Sequence, residues 1–528
     1  MSLNSNQNSQ IPGTKRVGTE SAYKMTHGVS PLLLVLLLLS VYGSSHGCLQ
    51  DTTAAYRFTG AVCRLTYPAA VVLNEKTTKV IEAAFQYARY PGVKGERSMP
   101  LLGKISYGLE NMEIHNLTIG QSSFQLLPGE GIAMEISNVS AVFIGTLHYE
   151  YGSWLVNVAQ SINFEIESQI DLGINPKLYC GKGKVAADTS SCHLNFDKLR
   201  LHLQGERKPN WLKKLFTDFI TLTVKLVIKG QICKEINKVA NILADFIQER
   251  AEQFLSDGDI GVDIGVTTAP TVTAHYIESY HKGLTKYNNT SSVIRDSVFN
   301  PSQLTENRML YFWISDQVLN PMMTAAHQDG RFRLNITGAE LIELFKLNVT
   351  AAMPDFLRKC LVETSHPELR VWSSSVPYIN TSTFGTTVWT EASGQIWCES
   401  QETLFFKTFI MADVTVSYVN KHVSLHGESL QVDVLHAELH QSPPGAQAPL
   451  DFIREALMKI GIPKVLSVLE TEITRLLDKQ GLYLFDIYNP EVLPLDGFVI
   501  IQMDFGFPHH LLVDFLKMTL QQTGGLQQ

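Results

Sequence analysis

Few residues in this 528-residue chain are spaced for chemistry. The one G-x-S-x-G runs from Gly43 to Gly47 around Ser45. A nucleophile elbow needs a strand before the serine and a helix after it. This one instead follows "PLLLVLLLLSV", residues 31–41, a run with the length of a signal-peptide core. The histidines offer little more. His509–His510, or His275 with His281, would hold a metal only if a third ligand came from elsewhere. There is no HExxH, no phosphate-binding P-loop and no CxxC. Nothing proposes an enzyme, a metal or an organic cofactor. The most suggestive cluster is "GERKPNWLKKLF", where Arg207, Lys208, Lys213 and Lys214 surround Trp211. It suits phospholipid headgroups or, equally, a solvated helix start over a core tryptophan.

The elements that would position such residues are mostly strands. "SINFEIESQIDLGI", residues 161–174, alternates apolar and polar side chains, which predicts a long half-buried strand. Shorter alternations fill 104–160, broken at "LPGEG" and "EYGS", and the pattern returns over 404–439. Two strand-rich regions imply two β domains. Helical spacing is expected over 74–89, with Asn74 as cap, over 210–255 with an interruption at Gly230, and over 450–479 with a break at Pro463. The polar stretch 287–308 is expected to be the linker between domains. At the end, "FGFPHHLLVDFLKMTL" places Leu511, Leu512, Phe515, Leu516 and Met518 on one broad apolar arc, too short to span a bilayer.

Composition narrows the class. A formal net charge of −8 speaks against nucleic acid as a partner, and 45% hydrophobic residues describe an ordinary folded chain. A removable signal region over 1–47, with translation starting at Met1 or Met25 and cleavage before Cys48, implies a secreted protein. Sequons begin at Asn116, Asn138, Asn288, Asn289, Asn335, Asn348 and Asn380, which fits that compartment, and the last six are the candidate glycosylation sites. Seven cysteines leave at least one without an intramolecular partner.

The stretch from "LHLQGERKPNW" through "LSDGDIGVDI", with "MLYFWIS" and "GFVIIQMDFGFPHHLLVDFL", resembles the family of bactericidal/permeability-increasing, lipopolysaccharide-binding and lipid transfer proteins. The likeness is strongest to its neutral-lipid carriers. It implies an α+β fold: an elongated boomerang of two β-barrel domains, each with long amphipathic helices, joined by a central antiparallel sheet and ending in an amphipathic helix. On that plan 48–286 hold the N-terminal barrel and part of the central sheet. Residues 309–506 hold the C-terminal barrel and the rest of the sheet, and 507–528 the final helix and tail.

The resemblance also implies one disulfide, Cys192–Cys233, with Cys180 outside it. It places Gln248, Arg250, Ser279 and His281 near the neck of an apolar tunnel. Tyr280 stands where a second histidine is expected. The implied activity is non-enzymatic exchange of cholesteryl esters and triglycerides, with phospholipids, between lipoproteins (HDL, LDL, VLDL) by a monomer. The alternatives are phospholipid transfer, distinguished by the terminal apolar arc, and lipopolysaccharide binding, disfavoured by the acidic balance.

Overall fold

The structure is a computed structural model that describes residues 48–506, apart from short gaps (87–88, 91, 100–102, 154–155, 349–353, 364–366, 400, 420–421, 441–448, 480–485) and most of 205–254. The signal region, the basic cluster around Trp211, Arg250 and the apolar arc of 507–528 lie outside the described residues.

Period-two patterning produces the predicted strands. Val156–Ile174 buries Phe164, Ile166, Ile170, Leu172 and Ile174 on one face, and Ser168 joins them by donating from Oγ to the Ala141 carbonyl at 3.0 Å. This strand lies between Cys192–Leu203 and Gly131–Ser153 in an antiparallel sheet that continues through Gly103–Thr118 to Arg89–Tyr90. A second sheet runs Arg333–Thr337, Glu368–Ser373, Gly385–Cys398, Gln401–Val419, His422–Leu439, with Tyr378–Ser382 also paired to Gly385–Cys398. Both strand orders are linear. Among the described residues neither sheet closes into the expected barrel by strand pairing, and helices pack residues such as Phe85 and Phe452 into the two cores.

One such helix is Tyr67–Phe85, which starts seven residues before the expected Asn74. Thr66 is the capping position and Pro68, lacking an N–H, sits in the first turn where none is needed. Asn74 is buried within the helix and its Oδ1 accepts from Ser122 Oγ at 2.9 Å. Gly230, where an interruption of the second helical stretch is expected, has a helical backbone itself, while 226–228 and 231 beside it lie outside the described residues. Pro463 does not break the third. Leu450–Ala456 passes through a π-helical turn, Leu457–Gly461, into Ile462–Lys479. A wider turn just before a proline relieves the clash of its ring with the preceding carbonyls.

Edges of the second sheet are stitched by helix side chains. Asn320 bonds both backbone groups of Ile379, at 2.8 and 2.9 Å, and Asp316 accepts from Thr381 N. At the far edge Thr474 and Glu470 accept from Val423 N and Leu425 N.

Three disulfides replace the single one expected. Cys192–Cys233 is present, and Cys48–Cys180 and Cys360–Cys398 join it, with Cα separations of 5.8, 5.9 and 5.5 Å. Cys180 is therefore bridged, and Cys63 is the free thiol. A chain segment 132 residues away in sequence brings Cys48 its partner, a pairing no local pattern encodes.

Candidate functional site: a central sheet with one sealed face and one hydrocarbon face

A third sheet is built from both halves of the chain. Its order is Thr271–Val272, Tyr276–His281, Ala61–Thr66, Leu310–Ser315, Phe498–Gly506, Asp486–Leu495, and all its pairs are antiparallel. Registers define two faces. Val62, Arg64, Glu278, Tyr280, Tyr311, Trp313 and Ile500 share one face and are buried.

Residues 287–308 seal that face. The segment turns at Asn288 and Asn289, whose φ of 46° and 62° are the left-handed values a two-residue hairpin asks for. It then lays Phe299 and Leu304 into the cluster around Trp313. Arg64 fixes it there. Its guanidinium donates to the carbonyls of Leu304 and Pro301 at 2.7 and 2.8 Å and to Glu278 Oε2 at 2.6 Å. Glu278 Oε1 accepts from Tyr280 Oη at 2.9 Å. Burial raises the Glu278 carboxyl, while the charge and hydrogen bonds of Arg64 and the Tyr280 hydroxyl pull it back.

The opposite face is different in kind. Ser279, Cys63, Phe312, Ile501 and Val492 form one register row, flanked by His281, Ala61 and Ile314 on one side and by Ile277, Leu65 and Leu310 on the other. Every one of these side chains is only half-buried. The row is hydrocarbon except for a thiol and the pair Ser279 and His281.

That pair is internally satisfied. His281 Nδ1 lies 2.7 Å from the Ile264 carbonyl, which can only accept, so Nδ1 carries the proton. Nε2 then accepts from Ser279 Oγ at 2.8 Å. Burial holds His281 below the ordinary imidazole range, the Ile264 carbonyl opposing, so the ring is neutral. Burial, with the Glu278 charge adding to it, pushes the Cys63 thiol up to about 12. A Ser–His pair of this kind resembles half of a hydrolytic triad, but no carboxylate backs the imidazole.

The interior of the N-terminal sheet is apolar as well. A cavity of about 50 Å³ is lined wholly by hydrocarbon side chains, among them Phe85, Ile114, Phe143, Leu172 and Ile236.

Residues 72–246 match the model of the LBP/BPI/CETP family, N-terminal domain, and residues 255–507 match its C-terminal domain. The chain belongs to the LBP/BPI/CETP family. Within this family the chain is 42% identical over 474 residues to cholesteryl ester transfer protein of Gallus gallus, spanning 88% of this chain and 94% of that one. It is 42% identical over 495 residues to cholesteryl ester transfer protein of Homo sapiens, spanning 92% and 99%. A crystal structure of lipopolysaccharide binding protein aligns over 85% of this chain and 99% of its own, with 18% identity and a TM-score of 0.45.

Of the residues expected at a neck, the structure brings Ser279 and His281 together. Gln248 is bonded elsewhere, its amide donating to Glu252 Oε1 at 2.9 Å. Tyr280 points to the sealed face, so its departure from the family pattern does not touch the row of Ser279. Cys63, Leu65, Phe312 and Ile501 were not anticipated. The signal was there in "LYFWIS", where Leu310, Phe312 and Ile314 alternate with Tyr311 and Trp313, so that apolar residues occupy both faces and mark a strand wanted by two different environments.

His275 lies near Glu306 and takes no part with His281, and among the described residues no group of side chains could hold a metal ion. No helix among them is long and apolar enough to cross a membrane. The sequons Asn116, Asn138, Asn288, Asn289, Asn335 and Asn380 are all exposed; the side chain of Asn348 is outside the described residues.

Proposed function

We propose that the protein is a secreted, monomeric carrier that exchanges cholesteryl esters and triglycerides, together with phospholipid, between lipoprotein particles, without making or breaking a bond. The observation that carries this reading is the half-buried hydrocarbon face of the central sheet, whose polar atoms at Ser279 and His281 satisfy each other. A cholesteryl ester exposes several hundred Å² of apolar surface, and at about 25 cal/mol for each Å² its passage through water is negligible. A carrier lined with hydrocarbon removes that cost. The relatives named cholesteryl ester transfer protein, at 42% identity, support the choice of cargo. Three disulfides and six exposed sequons support the secretory route.

On this reading the two outer sheets, with their helices, form barrel-like ends of an elongated boomerang and a tunnel runs between them past Ser279 and His281. Gln248 and Arg250 stand near its neck. The domains divide as 48–286 and 309–506, with 287–308 between them. The apolar arc of Leu511, Leu512, Phe515, Leu516 and Met518 acts as a lid over one mouth. Mass spectrometry of lipid co-purified with the secreted chain tests the cargo: neutral lipid with phospholipid is expected, and phospholipid alone would refute neutral-lipid carriage. Removing 509–528 is expected to leave a secreted, folded protein that loses cholesteryl ester transfer more than phospholipid transfer; unchanged cholesteryl ester transfer removes the lid from the scheme.

A further inference from the structure

Among the described residues the strand Arg333–Thr337 is the end of its sheet, paired only to Glu368–Ser373. Ser373 N bonds the Phe332 carbonyl at 3.0 Å and Gly338 N bonds the Pro367 carbonyl at 2.8 Å. In an antiparallel pair, bonded and non-bonded residues alternate, so Leu334 and Ile336 also bond inward. Arg333, Asn335 and Thr337 therefore turn their backbone N–H and C=O outward, where no group among the described residues meets them.

An open edge of this kind is a template for another strand. The other borders of the same sheet are closed by Asn320 and Asp316 at Tyr378–Ser382 and by Thr474 and Glu470 at His422–Leu439. At Arg333–Thr337 no such side chain stands among the described residues. What stands there is a sequon, Asn335-Ile-Thr337, whose central isoleucine is buried while the asparagine and threonine are both exposed.

We propose that Asn335 carries an N-linked glycan, and that this glycan keeps the open edge from pairing with a second copy of the chain. The side-chain Nδ2 forms the bond to the anomeric carbon of a lipid-diphosphate-linked oligosaccharide. The lipid diphosphate leaves with the bonding electron pair, and the amide proton is lost to base. Asn335 is the middle of the three outward-turned residues, so one glycan overhangs the whole edge. The proposal rests on the secretory reading given above.

The test uses the full chain secreted from animal cells. Enzymatic removal of N-glycans in water enriched in heavy oxygen turns each occupied asparagine into a heavy aspartate. The expected result is a heavy residue at 335, and a shift of the folded protein from monomer to dimers and larger species once its glycans are cut. Thr337→Ser should keep both the glycan and the monomer, whereas Thr337→Ala should lose both. A bare Asn335 in secreted protein that is occupied at Asn138 overturns the proposal and leaves secretion standing. A chain held in the cytosol with every sequon bare overturns both. An occupied Asn335 whose loss leaves the protein monomeric overturns the shielding role.

Discussion

Arg64 and Glu278 meet across two paired strands of the central sheet, 2.6 Å from Nε to Oε2, with side chains 2% and 1% exposed. The same guanidinium stacks on Tyr276 at 3.9 Å from the ring centre and holds the carbonyls of Pro301 and Leu304. One cation thus ties the strand Ala61–Thr66 to the segment 287–308 that seals one face of the sheet.

Breaking this pair should cost more than deleting it. Glu278→Gln leaves the Arg64 charge buried without its counter-ion, a loss of about 3–5 kcal/mol. The double variant Arg64→Met, Glu278→Leu removes both charges and should recover part of that loss. Urea unfolding of Arg64→Met, Glu278→Leu and the double gives the coupling directly. A double variant whose loss equals the sum of the singles would mean the two residues act independently.

His281 should make the fold sensitive to mild acid. Its native pKa lies below the unfolded value of 6.5, so between the two the unfolded chain binds more protons. The sign is then fixed. Its contribution to stability is fully present above pH 6.5, and falls as the pH drops through the depressed native value. Thermal midpoints at intervals from pH 7.5 to 5 should fall more steeply for the natural chain than for His281→Leu. Parallel curves would show that the imidazole does not titrate in this range.

Cys63 should be inert while the protein is folded. With its thiol at about 12, the thiolate is a trace species at neutral pH. Iodoacetamide at pH 7.5 should leave the native chain unlabelled. In denaturant without reductant it should add one group per chain, since the other six cysteines are bridged. Rapid native labelling would place the thiol in open solvent.

Much of the sheet structure was legible because burial on one face writes itself as period two, as in Val156–Ile174. Boundaries were less so. The start of Tyr67–Phe85 was hidden by a proline that stops most helices but opens this one. Of the site, Ser279 and His281 were reached through resemblance to the family. The role of Cys63 beside them depends on register across Ala61–Thr66, and register is set by strands far apart in sequence. The pairing of Cys48 with Cys180, and of Cys360 with Cys398, was unreadable for the same reason.

The shared central sheet also sets a timetable. Ala61–Thr66 finds one neighbour in Tyr276–His281 and the other in Leu310–Ser315, about 250 residues downstream, while Phe498–Gly506 docks onto the latter at the close. At roughly 5–20 residues per second, a ribosome needs on the order of 10–50 s to supply that second neighbour. For that interval an early strand waits with an unmatched side, and the hydrocarbon surface it belongs to cannot be assembled. Folding of this protein therefore finishes at the sheet that both halves of the chain share, after the other two large sheets have had time to form.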